Sequence, residues 1–286
     1  MLVPAKKDAQ PSEARVSKVE FLGSLGKRTL YIYLPPGYDE SARAYPVLYL
    51  QDGQNCFEAF AGDAFSGTWR ADETATSLIL AGDIEPSILV GVSNGGDKRL
   101  EEYLPPYSRL LVQPEKRWRY GLRRKSYMRG RAHQLFEDYR AIDRLVTETY
   151  RTLPGREHRA TCGSSMGGLF SAYLAFDHPE FARHHGVLSA SFWVTETREG
   201  SLQMLERFGQ QRVRDMRLWL DSGEGEGDSD DNMEVTVQAR DALLEAGYEE
   251  GHEFVYHFFP GATHSEAAWA ERFPLVLRYL FPPETR

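Results

Sequence analysis

Arg159-Ala160-Thr161-Cys162-Gly163-Ser164-Ser165-Met166-Gly167-Gly168-Leu169 is the stretch on which the reading of this chain turns. A short run of strand formers passes through Gly163-Ser164-Ser165-Met166-Gly167 into an apolar helical run that continues to Phe176. A glycine two residues before a serine and another two after it permit a strand-to-helix turn too tight for larger side chains. Such a turn lifts the serine hydroxyl clear of a sheet and aims a helix N-terminus at it, where the helix dipole favours a developing oxyanion. Ser164 is the rival hydroxyl, but only Ser165 has glycine at both positions. A glycine-rich turn with no chemistry is the plainer account; the strand before and the helix after weigh against it.

Around this stretch, short apolar runs alternate with longer helical patterns. Strands are expected at 18–22, 29–34, 47–50, 87–92, 159–162, 186–188, 218–220 and 254–258, several rich in β-branched and aromatic residues and bounded by Gly, Pro or Asp. Pro35-Pro36-Gly37 closes the second, since proline donates no ladder hydrogen bond. The spacing predicts a helix over 132–150, where Leu135, Tyr139, Ile142, Leu145 and Val146 form one apolar stripe. Further helices are expected over 69–80, 166–176, 233–246 and 265–280. After the first strands the order is β–α–β–α. It implies an α/β protein with a mainly parallel eight-stranded sheet, helices on both faces, and chemistry at the carboxyl ends of the strands. Residues 1–15 read as a flexible tail, 16–286 as one domain, and 105–131 as an insertion after the fourth strand.

Composition narrows the function classes. The 286 residues carry 41% hydrophobic residues and a net charge of −8, an ordinary globular balance that argues against a nucleic-acid binder. No apolar run is long enough to span a membrane, and no signal peptide is visible, so a cytoplasmic location is expected. The two cysteines, Cys56 and Cys162, are expected as buried thiols, with a bridge left open.

A serine nucleophile of this type needs a base after the last strand and an acid before it. Of eight histidines, His264 follows the strand at 254–258 and precedes the final helix, which makes it the expected base. The acid should lie in Asp221-Ser222-Gly223-Glu224-Gly225-Glu226-Gly227-Asp228, whose four carboxylates all compete. Asp221 could pack downward from the strand end. Glu226 is the expected acid and Asp228 the alternative. The oxyanion hole should use the N–H of Met166 and that of Gln54, after the strand at 47–50. This constellation belongs to the α/β-hydrolase fold. The acidic loop lacks the alternating ligand pattern of a calcium loop.

The chain resembles the esterase family that holds enterochelin-type esterases, esterase D and feruloyl or acetyl-xylan esterases. The resemblance rests on Tyr49-Leu50-Gln51-Asp52-Gly53-Gln54-Asn55-Cys56-Phe57, Gly91-Val92-Ser93-Asn94, Arg99 with Glu102-Tyr103-Leu104-Pro105, Tyr150-Arg151-Thr152-Leu153-Pro154, the serine turn, and Ser189-Ala190-Ser191-Phe192-Trp193. It implies ester hydrolysis without metal or organic cofactor and a small-molecule ester substrate, with an anionic or sugar-linked ester and a homo-oligomer both left open. It also implies Asp52, Gly53, Asn55, Arg99 and Trp193 as substrate-binding residues, and supports Glu226 through a family pattern of strand followed by Gly-x-x-Glu. The alternatives are an acyltransferase or peptidase on the same residues, or an inactive hydrolase-fold binding protein.

One segment departs from the family. Between Pro105 and Arg131 stand nine basic residues (Arg109, Lys116, Arg117, Arg119, Arg123, Arg124, Lys125, Arg129, Arg131) and one acid, Glu115. Either it is an arm for anionic esters, or it is a solvated run that pairs with the seven acids between Asp221 and Glu234.

Overall fold

The computed structural model describes residues 13–112, 126–210, 213, 215–225 and 230–283. Along the chain run β1 (Arg15–Gly23), β2 (Gly26–Leu34), β3 (Val47–Gln51), α1 (Ala71–Ala81), β4 (Ile88–Val92), α2 (Arg99–Tyr103), β5 (Arg109–Val112), β6 (Ser126–Arg129) and α3 (Ala132–Thr149). Then follow β7 (Arg159–Ser164), α4 (Met166–Asp177), β8 (His184–Leu188), α5 (Gln203–Gln210), β9 (Arg217–Gly223), α6 (Met233–Glu245), β10 (Phe254–Phe259) and α7 (Glu266–Leu280). Eight strands form one sheet in the order β1-β2-β4-β3-β7-β8-β9-β10. The pairs β1–β2 and β2–β4 are antiparallel, and all the others are parallel.

The apolar strands are continuous because both faces of the sheet are covered. Along β3, Val47 and Tyr49 face one core and Leu48 and Leu50 the other, the alternation a pleated strand requires. The first core is closed by α3, α4, α5 and α6, the second by α1 and α7. Helix α4 is buried from Met166 to Phe176, consistent with its seat at the centre of the sheet. This is the α/β-hydrolase arrangement.

Three details differ from the expectations. Arg15 belongs to β1 rather than to a tail, because the strand pairs with β2 along its whole length, Arg15 opposite Leu34. The basic insertion begins and ends as a hairpin, β5 against β6, with Arg109 opposite Arg129; residues 113–125 lie outside the described residues. Helices α2 and α5, of five and eight residues, are too short to give a periodicity signal.

Candidate active site

The parallel strands deliver one residue group after another to the same edge of the sheet. Ser165 follows β7 and takes φ 57°, ψ −123°, a conformation that non-glycine residues rarely adopt and that persists only where the surroundings impose it. Its N–H donates to Leu188 O at 3.0 Å, and its carbonyl accepts from Leu169 N at 3.0 Å and Ser191 N at 3.1 Å. The two glycines are required sterically. A Cβ on Gly163 would lie 2.5 Å from Gln51 Oε1 and 2.6 Å from the Gly167 backbone, and one on Gly167 would lie 2.9 Å from Gln51 Cβ. The Ser165 hydroxyl stands at the head of α4, 3.2 Å from Ser191 Oγ. Met166 N–H is the first of that helix, one of the leading donors that has no acceptor within it.

Across the cavity, Asp52 opens the turn Gly53–Asn55 in the left-handed conformation, φ 54°. The Asp52 carboxylate is fully engaged. Arg99 grips it with Nε and Nη2, both at 2.8 Å, Asn94 Nδ2 donates at 2.6 Å and Tyr103 Oη at 3.2 Å. A bidentate guanidinium fixes both distance and plane, so this network sets the turn that carries Gln54. The turn lies on β4 by glycine-to-glycine contact: a Cβ on Gly53 would fall 2.3 Å from the Gly91 carbonyl carbon. Asp52 and Arg99, expected as substrate-binding, both line the cavity and pair with each other. Asn55 also lines it, and its Nδ2 donates to Glu266 Oε1 at 3.0 Å.

His264 follows β10, a quarter exposed, with its ring edge-on to Trp269 at 4.9 Å between centroids. Its Nδ1 faces a carboxylate, and that carboxylate is Asp231, at 3.0 Å from Oδ1. The expected acid, Glu226, and its alternative, Asp228, lie outside the described residues; the carboxylate that the structure places beside Nδ1 is that of Asp231. The geometry explains the offset. Glu224 N and Gly225 N both donate to Ala262 O at 3.0 Å, latching the loop after β9 to the loop after β10. Asn232 Nδ2 then ties the returning chain to Ser189 O at 2.7 Å. Asp231 sits between these two ties and is fully buried. A Cβ on Gly223 would lie 2.8 Å from Asp231 Oδ2, so glycine is needed for the approach.

Ser165, His264, Asp52, Gln54, Asn55 and Arg99 line one cavity of about 500 Å³ with Phe65, Trp69, Asn94, Asp97, Glu266 and Trp269. Trp193, expected at the site, stands half exposed on the turn Phe192–Thr195, which follows Ser191, the neighbour of the Ser165 hydroxyl. Of the acids between Asp221 and Glu234, Asp221 and Asp231 both pair with Arg272 of α7, while most of the basic insertion, 113–125, and the acids at 226 and 228 lie outside the described residues. Among the described residues no cluster of His, Cys, Asp and Glu could hold a metal ion, and no helix is long and apolar enough to cross a membrane. Cys56 and Cys162 are both buried and free, and burial pushes both thiols well above their ordinary pKa.

The family model described as "Putative esterase" matches residues 24–280. The chain belongs to that family. As a member it is a carboxylic-ester hydrolase. It is 22% identical over 261 residues to the uncharacterized protein YbbA of Bacillus subtilis, covering 90% of this chain and 93% of that one. The feruloyl esterase AmCE1/Fae1A of Anaeromyces mucronatus has a similar structure, with TM-score 0.64, 21% identity, and 99% and 93% of the two chains covered. So does the enterobactin esterase FES of Shigella flexneri, with TM-score 0.70 and 16% identity; 95% of this esterase is covered, but 60% of that longer chain.

Proposed function

We propose that this esterase cleaves small carboxylic esters through an acyl-serine intermediate, with Ser165 as nucleophile, His264 as base and Asp231 as the orienting acid. The observation that carries the reading is the convergence of Ser165, held at positive φ, and a carboxylate-backed His264 on one cavity. His264 Nε2 takes the hydroxyl proton as Ser165 Oγ bonds to the ester carbonyl carbon, whose oxygen becomes the oxyanion. The N–H groups of Met166 and Gln54 receive that oxygen. Collapse breaks the bond to the alkoxide, which leaves with the proton from Nε2, and water repeats the sequence to release the acid. Asp231 holds His264 as the Nδ1–H tautomer, which leaves Nε2 free to accept.

The cavity volume suits a small molecule, and Phe65, Trp69 and Trp269 on its wall favour an ester with a flat ring on one side. Similarity to feruloyl and enterobactin esterases supports the same preference. The test is covalent labelling by a fluorophosphonate followed by hydrolysis of acetyl, feruloyl and catechol-type p-nitrophenyl or sugar esters. Labelling at Ser165 that vanishes in Ser165→Ala, together with ester turnover in the unsubstituted enzyme, is the expected result. Turnover that survives Ser165→Ala would overturn the mechanism, and acyl transfer to added alcohol exceeding hydrolysis would favour a transferase.

A further inference from the structure

Behind Asp231 lies a buried ionic cluster that the proposed chemistry does not use. Asp231 Oδ1 faces His264, while its Oδ2 accepts from Arg272 Nη2 at 2.6 Å and from Gly223 N at 2.5 Å. Arg272, on α7, is 2% exposed. Its other terminal nitrogen, Nη1, donates to Asp221 Oδ1 at 2.8 Å and to Ser189 Oγ at 3.2 Å. Asp221 Oδ2 in turn accepts from Trp219 Nε1 at 2.7 Å, and Asp221 is fully buried. The guanidinium stacks near Phe259, 5.1 Å from its centroid. Three ionisable groups thus sit buried together beside β9, β10 and α7.

Burying charges is costly, and apolar packing can often replace a buried ion pair without loss of stability. The cluster's charge count here has a functional consequence. An arginine alone behind Asp231 would orient the carboxylate but cancel its charge, and the imidazolium formed during catalysis would face a neutral pair. Adding Asp221 leaves two carboxylates against one guanidinium, hence one negative charge directed at His264. Burial pushes the Asp221 carboxyl up to about 6 despite Arg272, so the balance holds above that pH.

We propose that Arg272 and Asp221 are positioning residues of the triad: Arg272 fixes the plane of the Asp231 carboxylate, and Asp221 offsets the arginine so that His264 keeps a net negative neighbour. This rests on the triad reading above. Other charged groups on the histidine's cavity, among the described residues, are Glu266 at the start of α7, Asp97, and the Asp52–Arg99 pair across the cavity. Glu224 accepts from Gly261 N in the loop that leads to His264.

The test is the pH profile of kcat/KM on a p-nitrophenyl ester, with active enzyme counted by fluorophosphonate titration. Asp221→Asn leaves His264 facing a neutral Asp231–Arg272 pair. Its acid limb should move down by about half a pH unit or more, the size expected for one charge several ångströms away in a protein. The double variant Asp221→Asn with Arg272→Met restores the single negative charge, so its acid limb should return to the wild-type position while kcat stays depressed. Arg272→Lys keeps the charge but loses the fork: its acid limb should stay put while kcat falls about tenfold or more at nearly unchanged KM. It carries the test alone if Asp221→Asn does not fold. An unmoved acid limb in a folded Asp221→Asn, or wild-type kcat in Arg272→Lys, overturns the inference. A wild-type enzyme that neither labels at Ser165 nor turns over esters would instead remove the triad reading on which it rests.

Discussion

Replacing Asp231 by asparagine should do more than remove a charge, because the environment dictates how the amide must sit. Arg272 Nη2 and Gly223 N both donate to Oδ2, at 2.6 and 2.5 Å, so only the amide oxygen can occupy that place. The amide nitrogen is then turned toward His264 Nδ1, 3.0 Å from the atom it replaces, and it is a donor. Nδ1 is forced to accept, the ring proton moves to Nε2, and the atom that should take the Ser165 proton already carries one. Trapping this wrong tautomer costs about 10⁴ in kcat in an analogous triad, equivalent to about 5 kcal/mol of transition-state stabilisation. We expect Asp231→Asn to lose kcat by that order with KM within a few-fold, since Asp231 is buried away from the cavity lining. The assay is steady-state hydrolysis of p-nitrophenyl acetate by protein whose fold is checked by circular dichroism. Glu226→Gln and Asp228→Asn should retain near-normal turnover. A folded Asp231→Asn within tenfold of wild type, or an inactive Glu226→Gln, would refute the assignment.

Three further outcomes follow from the packing. His185 is fully buried between Thr161 Oγ1 and Ala182 O, and burial holds its pKa at about 3 against an ordinary 6.5. Because the folded state binds this proton less readily than the unfolded chain, stability is lost as pH falls below 6.5; between 6.5 and 4.5 the loss is about 2 kcal/mol. His185→Gln should flatten urea-unfolding stability over that window by a similar amount, and an unchanged slope would mean the ring is not neutral when buried. Gly53→Ala drives a methyl into the Gly91 backbone at 2.3 Å, so the turn bearing Gln54 must shift; we expect kcat to fall about a hundredfold or more with secondary structure intact, the scale of losing an oxyanion donor. Cys56 and Cys162 should both resist Ellman's reagent in the native enzyme and react only after denaturation; rapid labelling of either would contradict their burial.

Much of the architecture was legible because its signals are local. The eight strands of the sheet fall on the runs bounded by turn residues that the sequence marks, whereas their order, with β4 between β2 and β3, belongs to the fold. The short helix α5 and the hairpin β5–β6 were not legible, the first because eight residues scarcely complete two turns, the second because its strands are four residues each amid a run of basic side chains.

What the sequence determined by itself is the placement of Ser165 and His264. Each is dictated by a few neighbouring residues: glycines at two before and two after the serine, and a strand end followed by a helix start around the histidine. Which carboxylate faces His264 was decided only in three dimensions. Asp221, Glu224, Glu226, Asp228, Asp230 and Asp231 share one short stretch of near-uniform composition, and nothing local separates them. The choice falls to contacts distant in the chain: Ala262 O capturing Glu224 and Gly225, Ser189 O capturing Asn232, and Arg272 clamping the carboxylate left between them. Backbone turns are written in adjacent residues, whereas the selection of one carboxylate among six is made by whichever buried donors the folded elements bring within hydrogen-bond reach.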